Sequence, residues 1–220
     1  MRRNWPALGL CLLLGCTTLP LPESLPEPPA PAKAEDDDPL TLAAECLSRG
    51  DESAAAGHFE TYVRAHPDQP MFRLHLADLL LKLRRDADAQ AHYTRFVTDA
   101  QEASQPLQAH LVHCHTRLME LAQKSGDRFA ELLHRGIGFV LLTRQPVDDD
   151  AIREEIVCQA IQALMEAKEM KPAEARVHVY LAEAQERAGN RRAADAARAT
   201  ARNLAMPGSL TASELRSVMK

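Results

Sequence analysis

Residues 42–63, LAAECLSRGDESAAAGHFETYV, return 34 residues later as residues 76–97, LADLLLKLRRDADAQAHYTRFV. Six identities fall at that single offset: Leu42 on Leu76, Ala43 on Ala77, Leu47 on Leu81, Ala55 on Ala89, His58 on His92 and Val63 on Val97. Two aromatic exchanges join them, Phe59 for Tyr93 and Tyr62 for Phe96. Self-similarity at a fixed period marks a repeat architecture, in which each unit buries its apolar face against the next. Gly50-Asp51 lies between two helical stretches and supplies the turn of a helical hairpin, whereas the second copy turns at Arg84-Arg85 without a glycine. Ala55 and Ala89 are small enough for two helices to approach closely. Phe59 with Tyr62, and Tyr93 with Phe96, each lie three apart on one helical face and would fill the layer between hairpins. Only nine glycines in 220 residues, with abundant Ala, Leu, Glu and Arg, agree with an all-α protein.

A weaker third copy covers residues 175–204. Leu181-Ala182, Gly189-Asn190, Ala194 and Ala201 fall at the corresponding places after Pro172, with Arg198 where an aromatic stood before. The 34-residue period, with Pro67 after the second helix, resembles the tetratricopeptide (TPR) repeat family. That resemblance implies a right-handed superhelical solenoid of hairpins over residues 41–220. It also implies a concave groove, lined by the first helix of each pair, that grips a segment of a partner protein. Carried over position by position, the groove residues are Met71, Leu74, Asp78 and Lys82 from the second unit. The last unit contributes Arg176, Val179, Glu183 and Arg187. Members that clamp a free C-terminal carboxylate hold Lys and Asn where this chain has Leu74 and Asp78. A mixed apolar and charged groove for an internal segment is therefore expected.

The third copy begins 105 residues after the second, which is no multiple of 34, so the middle is expected to be irregular. Residues 105–170 read as three helices. Leu107, Leu111, Cys114, Leu118 and Leu121 form the first apolar stripe, and Phe129, Leu133, Ile137, Val140 and Leu141 the second. Ile152, Ile156, Ala160, Ile161, Leu164 and Ala167 form the third, with Asp150 as its N-cap and Gln145 to Asp149 as the loop before it. At the end, Thr211-x-x-Glu214 is a capping box that starts a short helix covering the last hairpin.

The N-terminus reads as an address. Arg2 and Arg3 precede a short apolar run, Leu8 to Leu14, far below the roughly 20 residues needed to span a bilayer as a helix. Leu13-Leu14-Gly15-Cys16 resembles the lipobox of bacterial lipoproteins, which implies a signal peptide over residues 1–15 and a mature chain that starts at a lipid-bearing Cys16. Two or more acyl chains give stable membrane anchoring. Thr17, in place of the aspartate that retains such proteins in the inner membrane, favours the periplasmic face of the outer membrane. Residues 16–40 form the tether. They hold half of the 14 prolines, and six acids against Lys33 carry a charge equal to the whole chain's −5. That composition favours an extended, disordered spacer.

The overall balance of −5 excludes a protein that works by neutralising phosphates, so no nucleic-acid partner is expected. Cys46, Cys114 and Cys158 fall inside helical patterns with no CxxC spacing, and are expected to be small buried hydrophobes. A second reading, metal handling or service to an enzyme, attaches to HLVHCHTRL at residues 110–118. There His110 and Cys114 share a helix face and can hold a soft divalent ion, given further ligands such as His134. RGIGFV at residues 135–140 lacks the third glycine of a dinucleotide loop and reads as close helix packing; Asp148-Asp149-Asp150 lacks the spacing of a calcium loop. With no nucleophile motif, the chain is expected to be a non-enzymatic scaffold of the cell envelope that takes protein partners, uses no cofactor and has no small-molecule substrate.

Overall fold

Four tight turns organise the domain, and all four are built alike. The computed structural model describes residues 38–102, 105–146 and 148–219, so the signal segment, Cys16 and the tether lie outside the described residues. The helices are α1 (Pro39–Ser48), α2 (Glu52–Ala65), α3 (Pro70–Lys82), α4 (Asp86–Glu102), α5 (Gln105–Gln108) and α6 (Leu111–Ser125), followed by α7 (Arg128–Leu142), α8 (Asp150–Met170), α9 (Ala175–Arg187), α10 (Arg191–Leu204) and α11 (Ala212–Val218). No strand occurs among the described residues. α1 starts at Pro39, just ahead of residue 41, with the proline at a position where its missing N–H costs nothing.

The hairpins α1–α2, α3–α4, α6–α7 and α9–α10 each turn through one left-handed residue: Gly50, Arg84, Gly126 and Gly189, with φ of +76°, +61°, +77° and +78°. In each, the next residue's N–H reaches five positions back to a helix carbonyl at 2.9 Å: Asp51 to Cys46, Arg85 to Leu80, Asp127 to Ala122 and Asn190 to Gln185. This is the helix-ending geometry that satisfies orphan carbonyls and favours glycine. Asp51 and Asp127 also start the following helices, accepting from the Ala54 and Ala130 N–H groups at 3.0 Å each.

Arg84 occupies the glycine place. A non-glycine residue there costs about 1–2 kcal/mol. Arg84→Gly is therefore expected to stabilise the domain by about 1 kcal/mol, the gain being trimmed by the extra freedom glycine has when unfolded. A chemical denaturation midpoint that does not rise would show that this turn holds no such strain.

The middle corrects the expected irregularity. α6 and α7 form a hairpin of the same type, turned at Ser125-Gly126-Asp127 as the first is at Arg49-Gly50-Asp51. The period is lost because Gly126 follows Arg84 by 42 residues rather than 34, after a lengthened α4 and the short α5. The stripe from Leu107 to Leu121 does not lie on one helix: Leu107 belongs to α5, and α6 starts at Leu111. α8 stands outside the hairpin pattern, at 21 residues longer than its neighbours, and packs against both α7 and α9. Its N-cap is Asp149, not Asp150, with the Asp149 carboxylate accepting from Ala151 and Ile152. Its first turn is exposed on every side, which leaves Ile152 53% exposed against the expected apolar stripe, and Cys158 lies on the outer face between buried Val157 and Ala160, against the expected buried thiol.

The core follows the repeat. Ala55 and Ala89 have no exposed surface, and Tyr93 and Phe96 are fully buried between hairpins, while Phe59 and Tyr62 of the outermost hairpin are half-buried. The layer between α2 and α3 is filled by Tyr62 edge-on to Phe72, with ring centroids 4.8 Å apart. Ala89→Leu is expected to overpack the second hairpin and destabilise it by about 2 kcal/mol in thermal or urea unfolding. An unchanged midpoint would mean that the helices do not meet at Ala89. The capping box of α11 is present as expected: Glu214 N–H donates to Thr211 at 3.2 Å and Thr211 N–H to Glu214 at 2.9 Å. α11 packs on α9 and α10 and also touches α4.

Candidate partner-binding groove

The residues expected on the groove fall into two groups, each tied up by neighbouring helices. On α3, Leu74 is only 3% exposed and belongs to the core, and Met71 is half-buried against it. Asp78 is the centre of a small network: its Oδ1 accepts from Tyr93 Oη and from His113 Nε2, the latter at 2.9 Å. Burial by itself would raise the Asp78 pKa. The hydrogen bonds from His113 and Tyr93, with the charges of His113 and Arg117, hold it below the ordinary carboxylate value. Burial and the Asp78 carboxylate push the Tyr93 hydroxyl up, so it stays a donor. Lys82 forms an ion pair with Glu52 of the first hairpin.

On α9, Val179 is buried, and the three charged positions are paired. Arg176 donates to Glu214 of α11 at 3.0 Å and to the Ser209 carbonyl at 3.3 Å. Glu183 receives both Arg144 nitrogens, at 2.8 and 2.6 Å, and Arg187 at 3.2 Å. Its burial opposes ionisation, but those guanidinium groups lower its pKa overall. Arg187 also donates to the Thr143 carbonyl at 2.8 Å, which ties α9 to the end of α7. Gln101 Nε2, near the end of α4, donates to Tyr180 Oη at 2.9 Å, a contact spanning 79 positions of sequence. Sequence reasoning missed Arg144 and His113 here. The position of His113 could have been found had the α6–α7 hairpin been registered, since it then falls on a first helix.

Around the His110 and Cys114 pair the described residues gather no further ligand. Cys114 has no exposed surface, and burial pushes its thiol pKa up. His110 is the N-cap residue of α6, and His134, the candidate further ligand, pairs instead with His115, Nδ1 to Nδ1 at 3.0 Å. Among the described residues no group of three His, Cys, Asp or Glu side chains is placed to hold an ion.

Solved structures similar to this chain include TTC0263, a thermophilic TPR protein in Thermus thermophilus, at 21% identity over 76% of this chain and 72% of that one, with a TM-score of 0.37. A MamA protein is similar at 14% identity over 76% and 89% of the two chains, with a TM-score of 0.38. MamA from Desulfovibrio magneticus RS-1 is similar at 15% identity over 76% and 92%, with a TM-score of 0.36. No family model matches the sequence. No curated protein matches it significantly.

Proposed function

We propose that this chain is a protein-interaction scaffold of the bacterial cell envelope. Lipid on Cys16 anchors it at the periplasmic face of the outer membrane, and the groove formed by the first helices of its hairpins holds a partner protein. The observation that carries the reading is the array of four hairpins closed by one common turn, a way of presenting successive helix faces side by side to one ligand. The half-exposed charged groups of α3 and α9, held in place by their ion pairs, supply orientation and specificity on that surface. Among the described residues no helix is long and apolar enough to cross a membrane. Attachment is assigned to Cys16 because Leu13-Leu14-Gly15-Cys16 resembles a lipobox.

Two measurements test this. Mass spectrometry of the membrane fraction is expected to show an N-terminal peptide beginning at lipid-modified Cys16, and Cys16→Ser is expected to release the protein; an unmodified Cys16 overturns the anchor. A photo-crosslinking residue at exposed His75 on α3 is expected to yield a discrete partner adduct in envelopes, and one at exposed Glu155 on α8 is not. Equal labelling from both sites, or from neither, overturns the groove.

A further inference from the structure

We propose that the space between α9, α10 and α11 is a cationic subsite for an acidic peptide segment of the partner. The inference rests on the scaffold reading above and names the chemistry of what is held. In the second hairpin Tyr93 and Phe96 fill the layer beneath the next unit and are fully buried. At the matching places on α10 stand Arg198 and Ala201, and the element that follows, α11, is only 7 residues long. Ala201 is still fully buried, and the groove opens beside Arg198: about 750 Å³, bordered by α9 and α11 and by Arg144, Arg187, Arg198 and Arg216.

The charge in that groove is unbalanced. The lining carboxylates are Glu183 and Glu186 against four arginines. Glu183 is shared by Arg144 and Arg187, and Arg198 pairs with Glu186 and, away from the groove, with Asp195. Arg216 has no carboxylate partner among the described residues. Guanidinium groups already oriented by hydrogen bonds match carboxylates in a planar, paired geometry and lose little freedom on binding. A groove of this size exceeds what a single small anion would fill, which suits a segment of several residues carrying Asp or Glu.

The test is fluorescence anisotropy of the full-length protein with fluorescein-labelled Glu-Glu-Leu-Glu-Asp-Glu-Leu-Glu, set against the same peptide with lysine at every acidic position. The acidic peptide is expected to bind about tenfold tighter or better. Arg216→Glu, at a position without an intramolecular carboxylate partner, is expected to cut that affinity about tenfold with an unchanged melting temperature, and Arg198→Ala to weaken it less. Equal affinity for both peptides, or indifference to both substitutions, overturns the subsite. Full displacement of the peptide by millimolar inorganic phosphate also overturns it, by showing a simple anion site. If the His75 crosslink persists while the acidic peptide fails, this inference falls and the scaffold stands; if both fail, the scaffold falls with it.

Discussion

Gly136→Val is expected to destabilise the domain by about 3 kcal/mol, the upper end of what overpacking a close helix contact costs. Gly136 lies on α7 where α8 crosses it. A Cβ added there would sit 2.5 Å from Leu164 Cγ and 2.8 Å from its Cδ2. Leu164 is fully buried, and the clash falls at its branch point rather than at a flexible tip, so relief requires the two helices to separate. Gly138, two residues on, is the internal control. Its added Cβ would meet only His115 Cβ, at 4.0 Å, an ordinary contact. Gly138→Ala is therefore expected to be neutral or stabilising by up to about 1 kcal/mol through helix propensity. Urea unfolding of the two variants checks the pair, and similar midpoints would mean that α7 and α8 do not meet as described.

Acidification from pH 7 to pH 5 is expected to cost about 2 kcal/mol of folding free energy or more, before the carboxylates matter. His115 and His134 face each other across the α6–α7 hairpin with Nδ1 atoms 3.0 Å apart. One shared proton fits between them. The buried His115 Nε2 has no partner, which favours the tautomer in which His115 Nδ1–H donates to His134. A second proton on either ring would set two N–H groups against each other or bury an unpaired N–H. Burial lowers the pKa of both rings, with Arg176 and Arg144 adding repulsion at His115, and Arg176 at His134, where Asp127 is a weak counterweight.

His134 falls from 6.5 to about 4. The unfolded chain then binds more protons than the folded one between those values, so stability drops as pH falls through that window. Between pH 7 and pH 5 His134 alone accounts for about 2 kcal/mol of that loss. Asp78 and Glu183, held below ordinary carboxylate values, lose their contribution only at lower pH. The double variant His115→Leu with His134→Leu is expected to flatten the melting temperature between pH 6.5 and 5. A slope equal to that of the unaltered protein would assign the acid lability elsewhere.

Much of the architecture is legible in particular residues. The pairs Leu42/Leu76, Ala55/Ala89 and Phe59/Tyr93 give a period, a helix contact and a filled layer, and the structure buries Ala55, Ala89 and Tyr93 completely. Gly50-Asp51 and Gly126-Asp127 carry the same turn signal, yet only the first is found by period, because insertions cost little in a surface connection while they destroy register in an alignment. Ile152 fits a helical stripe but lies on the surface, because a stripe records which face is apolar and not how far the neighbouring helices extend. On the groove, position in the repeat places Leu74 and Val179 on the first helices. Whether such a residue meets solvent or core depends on how deeply the next hairpin nests.

The sequence by itself determined the helix pairs and turns of the first two units and the last, the small-residue contact at Ala55 and Ala89, and the cap at Thr211 and Glu214. Each of these rests on interactions within a few tens of residues, where backbone geometry and side-chain spacing decide the outcome. Only the tertiary structure decided that Arg176 reaches Glu214 at 3.0 Å, that His134 faces His115, and that the place of a missing aromatic at Arg198 opens into a cationic groove. Those contacts depend on how successive hairpins stack and on where a 7-residue helix lies against them, and no local propensity encodes that sum of small rotations.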